Sequence, residues 1–285
     1  ITISRNPSAN LHKKVMHSLK NLVTVKAIKD RLSNSRKVGS VKTELSKALG
    51  VDEREIKAEV KNIEHHRSHL GSTFFASPFE ESAILSIDGF GDFTSTMTAM
   101  GKGNQIEVLD TVIYPHSAGI FYTALTQFLG FPHYGDEYKV MGLAPYGEAK
   151  YMKEMREIIH LKENGLFELN LKYFTHAKAG VSMSWEGGNP HIEAIFSEEL
   201  EKLLGSARKK GEELTQKHKD IATSVQRMTE ELIFHILNHL QQKTGSKNIC
   251  IAGGVAQNSV ANGKVLESTT FENIYIPSAG HDAGT

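Results

Sequence analysis

The stretch Ser82–Tyr114, SAILSIDGFGDFTSTMTAMGKGNQIEVLDTVIY, decides the fold. Ala83 to Ile87 is a short apolar run, Asp88-Gly89-Phe90-Gly91-Asp92 is a turn, and Phe93 to Met100 alternates as a strand. Gly101-Lys102-Gly103-Asn104 turns the chain again, into a third strand from Ile106 to Tyr114. Three strands joined by two glycine turns make an antiparallel meander. Downstream, His116 to Leu129 reads as a helix. Ile221, Val225, Met228, Leu232, Ile236 and Leu240 then recur at steps of three and four, the pattern of a long amphipathic helix. It feeds a buried strand at Asn248–Ala252, then Gly253-Gly254, a helix across Ala256–Leu266 and a strand at Ile274–Ile276. Strands followed by helices predict an α/β fold.

Upstream of the meander the first 60 residues are polar and lysine-rich, with short amphipathic pieces. Val41 to Leu49 reads as a helix stopped by Gly50. Ile56, Val60 and Ile63 suit a short strand, and Leu70 to Ala76 looks helical up to the break at Pro78. Residues 149–215 read as an insertion, with a helix around Tyr151–His160, a strand pair near Phe167–Leu171 and polar loops around Trp185–Pro190. Composition removes several classes of function. Lys plus Arg is 33 and Asp plus Glu is 33, so bulk charge gives no support to a nucleic-acid or anionic-membrane surface. The single cysteine, Cys250, excludes an internal disulfide framework or a thiolate cluster. No apolar run approaches the roughly 20 residues that span a bilayer, and ITISRNPSANLHKK has no apolar stretch after its basic residues, so no secretory signal is read there. A soluble, cytoplasmic protein is expected.

Histidines are numerous, 14 in all, but their grouping matters more than their count. His65 and His69 are four apart, so on a helix both rings leave one face, a spacing suited to two nitrogen ligands on one metal. Two ordinary surface or core histidines would also fit. His66 between them points elsewhere. Asp88 ends an apolar strand beside Gly89 and Gly91, where bare backbone lets a carboxylate reach a metal or phosphate; a plain Asp-Gly hairpin turn explains it equally well. Gly253-Gly254, with Asn258 just beyond, lies at a strand-to-helix turn that admits a nucleotide, or simply packs tightly. It matches neither the P-loop nor the dinucleotide fingerprint. Asp282 sits between glycines in Gly280–Gly284, as a ligand or a helix cap. Lys139, in the loop Gly135–Gly142, has the charge to neutralise phosphate or adenylate oxygens, or to be a solvated loop charge.

The order of these pieces is more specific than any one of them. HHRSH (65–69), SIDGFGDF (86–93), YPHSAGIFYTALTQFLGF (114–131), YGDEYKVMGLAPYG (134–147), HKDIATSVQRMTEEL (218–232), IAGGVAQNSVANGK (251–264) and AGHDAGT (279–285) closely resemble the carbamoyltransferases of the nodulation-factor and antibiotic-tailoring type. The resemblance covers about residues 60–285. It implies an actin, Hsp70 and sugar-kinase class fold of two ribonuclease-H-like lobes, in the metal-binding branch related to the tRNA threonylcarbamoyl-transfer proteins. Residues 1–80 would be a partial first lobe carrying the His-x-x-x-His motif, and residues 81–285 the second lobe with its insertion. It implies that His65, His69, Asp88 and Asp282 bind a divalent metal, usually iron. Gly253, Gly254, Asn258, Gly89 and Gly91 would border ATP or carbamoyl adenylate, with Lys139 near the substrate. His133, His116 and Asp92 are candidates to take the acceptor's proton.

The implied reaction passes a carbamoyl group from carbamoyl adenylate, made from carbamoyl phosphate and ATP, to a hydroxyl of a sugar or natural-product acceptor. An adenylate-forming domain is expected elsewhere in a longer chain, since the family's opening strands and that domain have no counterpart in residues 1–285. The fragment is therefore expected to expose sheet edge and apolar surface in its first lobe, and not to turn over alone. Two other readings keep part of this picture: an ATP-dependent kinase or ATPase of the same fold, and a non-catalytic nucleotide-binding module. The demanding expectation is that His65, His69, Asp88 and Asp282 meet at one point, and that Gly253 and Gly254 line a cleft with a helix N-terminus aimed into it.

Overall fold

The computed structural model describes residues 1–20, 41–181, 183–186 and 189–285. In chain order, β1 (Thr2–Ile3), α1 (Leu11–Lys20), α2 (Val41–Leu49) and β2 (Lys61–Asn62) precede α3 (His65–Phe74). The meander follows as β3 (Glu81–Gly91), β4 (Thr94–Lys102) and β5 (Gln105–Ile113). Then come α4 (Ala118–Phe128), α5 (Glu137–Leu143), α6 (Met152–Ile158), the hairpins β6–β7 (Ile159–Leu161, Phe167–Leu169) and β8–β9 (Met183–Glu186, Asn189–Ile192), and α7 (Glu198–Leu204). The long helix α8 (Gln216–Thr244), β10 (Asn248–Ala252) and β11 (Asn273–Tyr275) complete the frame.

The main sheet is mixed, with order β11-β10-β3-β4-β5. The meander is antiparallel, while β10 runs parallel to β3 with Ile249 opposite Ala83, and β11 runs parallel to β10. Residues of β3 alternate across the sheet. Ala83, Leu85 and Ile87 enter the larger core with α4 and α8, whereas Ile84 joins Leu70 and Phe74 of α3, Met97, Ala99 and Cys250 on the other face. The same alternation puts Ser86 and Asp88 on the face that α3 covers. All six periodic positions of α8 are buried, each worth about 1.5–3 kcal/mol. A Thr215–His218 capping box opens that helix and Gly245, left-handed at φ 64°, closes it.

The structure moves several boundaries drawn from sequence. β3 does not turn at Asp88 but continues, with a bulge, to Gly91. The hairpin turn is Asp92-Phe93, both at positive φ (50° and 76°), a geometry that residue type does not announce for a phenylalanine. α5 replaces the expected loop around Lys139. Met183–Glu186 and Asn189–Ile192 pair as antiparallel strands where polar loops were expected. The helix expected across 256–266 is broken into a 3-10 turn (Val255–Gln257) and two single turns (Ser259–Asn262, Val265–Ser268). In the N-terminal region the strand-like pieces amount to a two-residue parallel pairing of β1 with β2. The lysine-rich stretch across 21–40 lies outside the described residues. Among the described residues no helix is long and apolar enough to cross a membrane.

Gly253 locks β10 against β3. Its φ is 102°, and a Cβ there would stand 2.1 Å from the Ile87 carbonyl oxygen. We expect Gly253→Ala to lose about 2–4 kcal/mol of unfolding free energy, from backbone strain and a collision with backbone that cannot move aside. Urea unfolding measures this directly, and a wild-type midpoint would contradict the packing described here.

Candidate metal centre

The centre is built by crossing α3 over the end of β3. Glu64 caps the helix by accepting a hydrogen bond from the Arg67 N–H, and His66, Leu70 and Thr73 turn inward. His65 and His69 then lie one turn apart on the side facing the strand end. The crossing needs a bare backbone: a Cβ on Gly91 would lie 1.8 Å from the His65 ring. Asp88 is held by the N–H groups of Gly89 (2.7 Å) and Gly254 (3.1 Å) on Oδ1, leaving Oδ2 to face the histidines. Ser117 caps α4 at the Ile120 N–H, and its hydroxyl also lies 2.7 Å from the Gly89 carbonyl. Asp282 arrives from the far end of the sequence, its carboxylate more than half exposed.

The four expected ligands do meet. His65, His69, Asp88 and Asp282 each offer an atom within 4.8 Å of all the others. Asp88 Oδ2 is 3.2 Å from His65 Nε2 and 3.3 Å from His69 Nε2. Asp282 Oδ1 is 3.3 and 3.5 Å from the same two nitrogens, which are 3.1 Å apart. Four donors bound at about 2.1 Å around a tetrahedral metal stand about 3.4 Å from one another. The donor set therefore fits a divalent ion. His65 Nδ1 lies 3.3 Å from the Ser4 carbonyl, which can only accept, so the proton sits there and Nε2 keeps its lone pair when the ring is neutral. Two neutral Nε2 lone pairs facing each other are unfavourable unless a proton or a cation lies between them.

The electrostatics couple the two imidazoles to the two carboxylates. Burial by itself pulls the His65 imidazole down, but hydrogen bonds to Asp282 and Asp88 outweigh it and raise the pKa to about 9; His69 is also raised, by the same balance. Burial pushes Asp88 up, and its bonds to His65, His69 and the Gly89 N–H reverse this, leaving it strongly lowered. Asp282 is lowered chiefly by its bonds to the two histidines. His66 takes no part: buried against Ser86 Oγ at 2.7 Å, it is pushed by burial down to about 3 and stays neutral.

The remaining sequence candidates are placed as follows. Gly253 packs on Ile87, and Gly254 donates to Asp88, whose Oδ1 would be 2.7 Å from any Cβ there. Asn258 exchanges two hydrogen bonds with Gln226, at 3.0 and 2.9 Å, inside a buried network with Tyr122 and Glu230. Of the meander glycines, Gly91 lies under His65, while the Cβ direction of Gly89 is open. Lys139 pairs with Asp136 at 2.6 Å. His133 Nε2 lies 3.0 Å from Lys210 Nζ, and His116 Nδ1 accepts the Leu169 N–H. Asp92 Oδ2 accepts from the N–H groups of His65 and Asn6. No proton acceptor proposed from sequence is thus free of a protein partner. Sequence reading missed Arg5, 3.7 Å from Asp282 Oδ2, and Tyr134, raised by burial and then by the Asp282 and Asp88 charges it faces. The only signal for Tyr134 was an aromatic in a glycine-bounded loop.

With this geometry established, comparison with known proteins decides the family. The family model described as the carbamoyltransferase N-terminus matches residues 13–285. The chain belongs to the carbamoyltransferase family. It is 41% identical to an uncharacterized protein of Synechocystis over 78% of this chain and 34% of that protein. It is 36% identical to the nodulation protein NolNO of Sinorhizobium fredii over 80% of this chain and 30% of that protein. The chain thus spans about a third of the length of these relatives. Among solved structures, T. kodakarensis HypF matches with a TM-score of 0.39 and 17% identity, covering 85% of this chain and 36% of that one.

A protonated His65 cannot bind a metal, and its raised pKa means the proton is held at every pH below about 9. Divalent metal uptake at neutral pH should therefore release protons, and affinity should strengthen as pH rises toward about 9. Calorimetry in buffers of different ionisation enthalpy checks both signs. An affinity that does not change with pH over that range would be inconsistent with the cluster as described.

Proposed function

We propose that this chain carries the transfer site of a metal-assisted carbamoyltransferase. The carbamoyl group of carbamoyl adenylate, formed from carbamoyl phosphate and ATP by an adenylate-forming domain of the longer protein, passes to a hydroxyl of a sugar or natural-product acceptor. The observation that carries this reading is the convergence of two imidazoles and two carboxylates from three distant segments, in a member of the carbamoyltransferase family. The sheet order, a meander followed by two parallel strands on its first edge, supports reading residues 81–285 as a ribonuclease-H-like lobe of the actin and Hsp70 class, with residues 1–80 contributing to the other lobe.

His65 and His69 would hold the metal through Nε2, and Asp88 and Asp282 through one oxygen each. Iron is the ion proposed; two nitrogen and two oxygen donors suit it, as they suit manganese or zinc. When bound, a divalent ion supplies Lewis acidity to an oxygen of the mixed anhydride. The chain does the rest. Burial of both imidazoles fixes their approach, and the exposed side of Asp282 leaves the centre open to substrate. Arg5 adds positive charge at that rim, suited to the adenylate phosphate. The acceptor oxygen forms the new C–O bond, the carbonyl carbon releases AMP with its electron pair, and the hydroxyl proton passes to solvent. The exposed residues Gly254, Gln257 and Ser259 offer the nucleotide moiety a turn to lie along.

Metal analysis of nucleotide-free protein reconstituted anaerobically with Fe²⁺ tests the reading. We expect one ion per chain, and at least a tenfold loss of affinity in His69→Ala, which removes a ligand outright. Metal retained only when nucleotide is present would instead favour an ATPase or kinase, in which the ion arrives with its phosphates.

A further inference from the structure

We infer that Asp92 is a positioning residue for the histidine pair, one that sets both where His65 sits and which of its nitrogens carries the proton. The inference rests on the metal reading above and adds a residue outside the ligand set.

Asp92 stands first in the two-residue turn between β3 and β4, with Phe93 second, and both have positive φ. That geometry favours Asn-Gly, and a phenylalanine there is strained by about 1–3 kcal/mol. Burial of Phe93 against His17 and Tyr114, with ring centroids 5.6 and 5.2 Å away, offsets the strain. The turn delivers one carboxylate oxygen to two backbone donors. Asp92 Oδ2 accepts from the His65 N–H at 3.0 Å and from the Asn6 N–H at 2.6 Å.

Each bond has a separate consequence. The His65 N–H is the first of α3 and has no partner within the helix, and the positive end of the helix dipole favours an anion beside it. The bond therefore fixes the start of the helix relative to the β3–β4 hairpin that carries Asp88. The Asn6 bond fixes the N-terminal segment, and two residues earlier the Ser4 carbonyl meets His65 Nδ1 at 3.3 Å. Asn10 reinforces the arrangement through Nδ2, 3.1 Å from the Asp92 carbonyl. A carbonyl accepts only, so Nδ1 keeps the proton when the ring is neutral, and Nε2 then turns its lone pair toward Asp88, His69 and Asp282. Metal-binding histidines commonly have a partner of this kind on the second nitrogen, and losing one typically weakens binding 10–100-fold. Asp92 supplies that partner indirectly, through Asn6 and Ser4.

The test compares wild type and Asp92→Asn by Co²⁺ titration, reading affinity by calorimetry and site geometry by the visible d–d bands. The expected result is unchanged one-site stoichiometry, affinity lowered about 10–100-fold and a shifted d–d spectrum. A role confined to stability would lower the melting temperature of the metal-free protein and leave the spectrum alone. A second measurement needs no variant: ¹⁵N-histidine NMR of the Zn²⁺-loaded wild type should show His65 protonated at Nδ1. Protonation at Nε2, or a folded Asp92→Asn protein with wild-type Co²⁺ affinity and spectrum, would overturn the inference. If wild type binds neither ion, it is the metal reading that fails.

Discussion

Everything at the centre depends on how closely α3 can approach β3. The His65 ring lies directly over Gly91, in the space that any side chain there would occupy. That contact sets the height of the helix above the strand end, and hence the distance from both imidazoles to Asp88. A second contact of the same kind holds the other side: Gly253 fits against the Ile87 carbonyl, so β10 can bring the Gly254 N–H to the Asp88 carboxylate. The site is thus clamped between two missing side chains, one under a ligand and one behind it. Phe74, at the other end of α3, rests on Gly101 of β4 and repeats the device.

The second constraint is charge. Burying ionised groups is costly unless they are paired, and here two carboxylates converge on the same two rings. Without a metal the cluster balances itself by keeping protons on the imidazoles, which is why their pKa values rise despite burial. A divalent ion bound there would replace those protons with a charge of the same sign. The arrangement is therefore acceptable both empty and loaded, and proton release is the signature of the exchange. His66, one residue from His65, shows the contrast: buried and bonded to a serine hydroxyl rather than a carboxylate, it stays neutral.

Much of this was legible in the sequence. The meander, the long helix α8 and the strand β10 follow from periodicity, because each buries a regular face. Asp88 stands out because it ends an apolar run beside Gly89 and Gly91. What could not be read was set by distant contacts. The turn falls on Asp92-Phe93 because Phe93 is buried, and nothing local to an Asp-Phe pair signals a left-handed turn. Asn258 draws notice because it follows two glycines; what the sequence does not show is that its amide bonds Gln226, 32 residues earlier on α8. Lys139 reads from sequence as a loop residue, a charge for phosphate oxygens or a solvated one, but that stretch is a helix and Asp136 stands three residues before it on the same side.

The glycine turn at 253–254 shows how one motif can build a site through its backbone. Glycines after a strand suggest a phosphate cradle, since bare N–H groups can point at an anion. In this chain the Gly254 N–H does point at an anion, but the anion is Asp88. The Gly253 N–H is used as well, donating to the Gly280 carbonyl at 2.7 Å. That second bond links the turn to the segment that carries Asp282. One glycine pair thus fixes the orientation of one carboxylate and ties down the approach of the other.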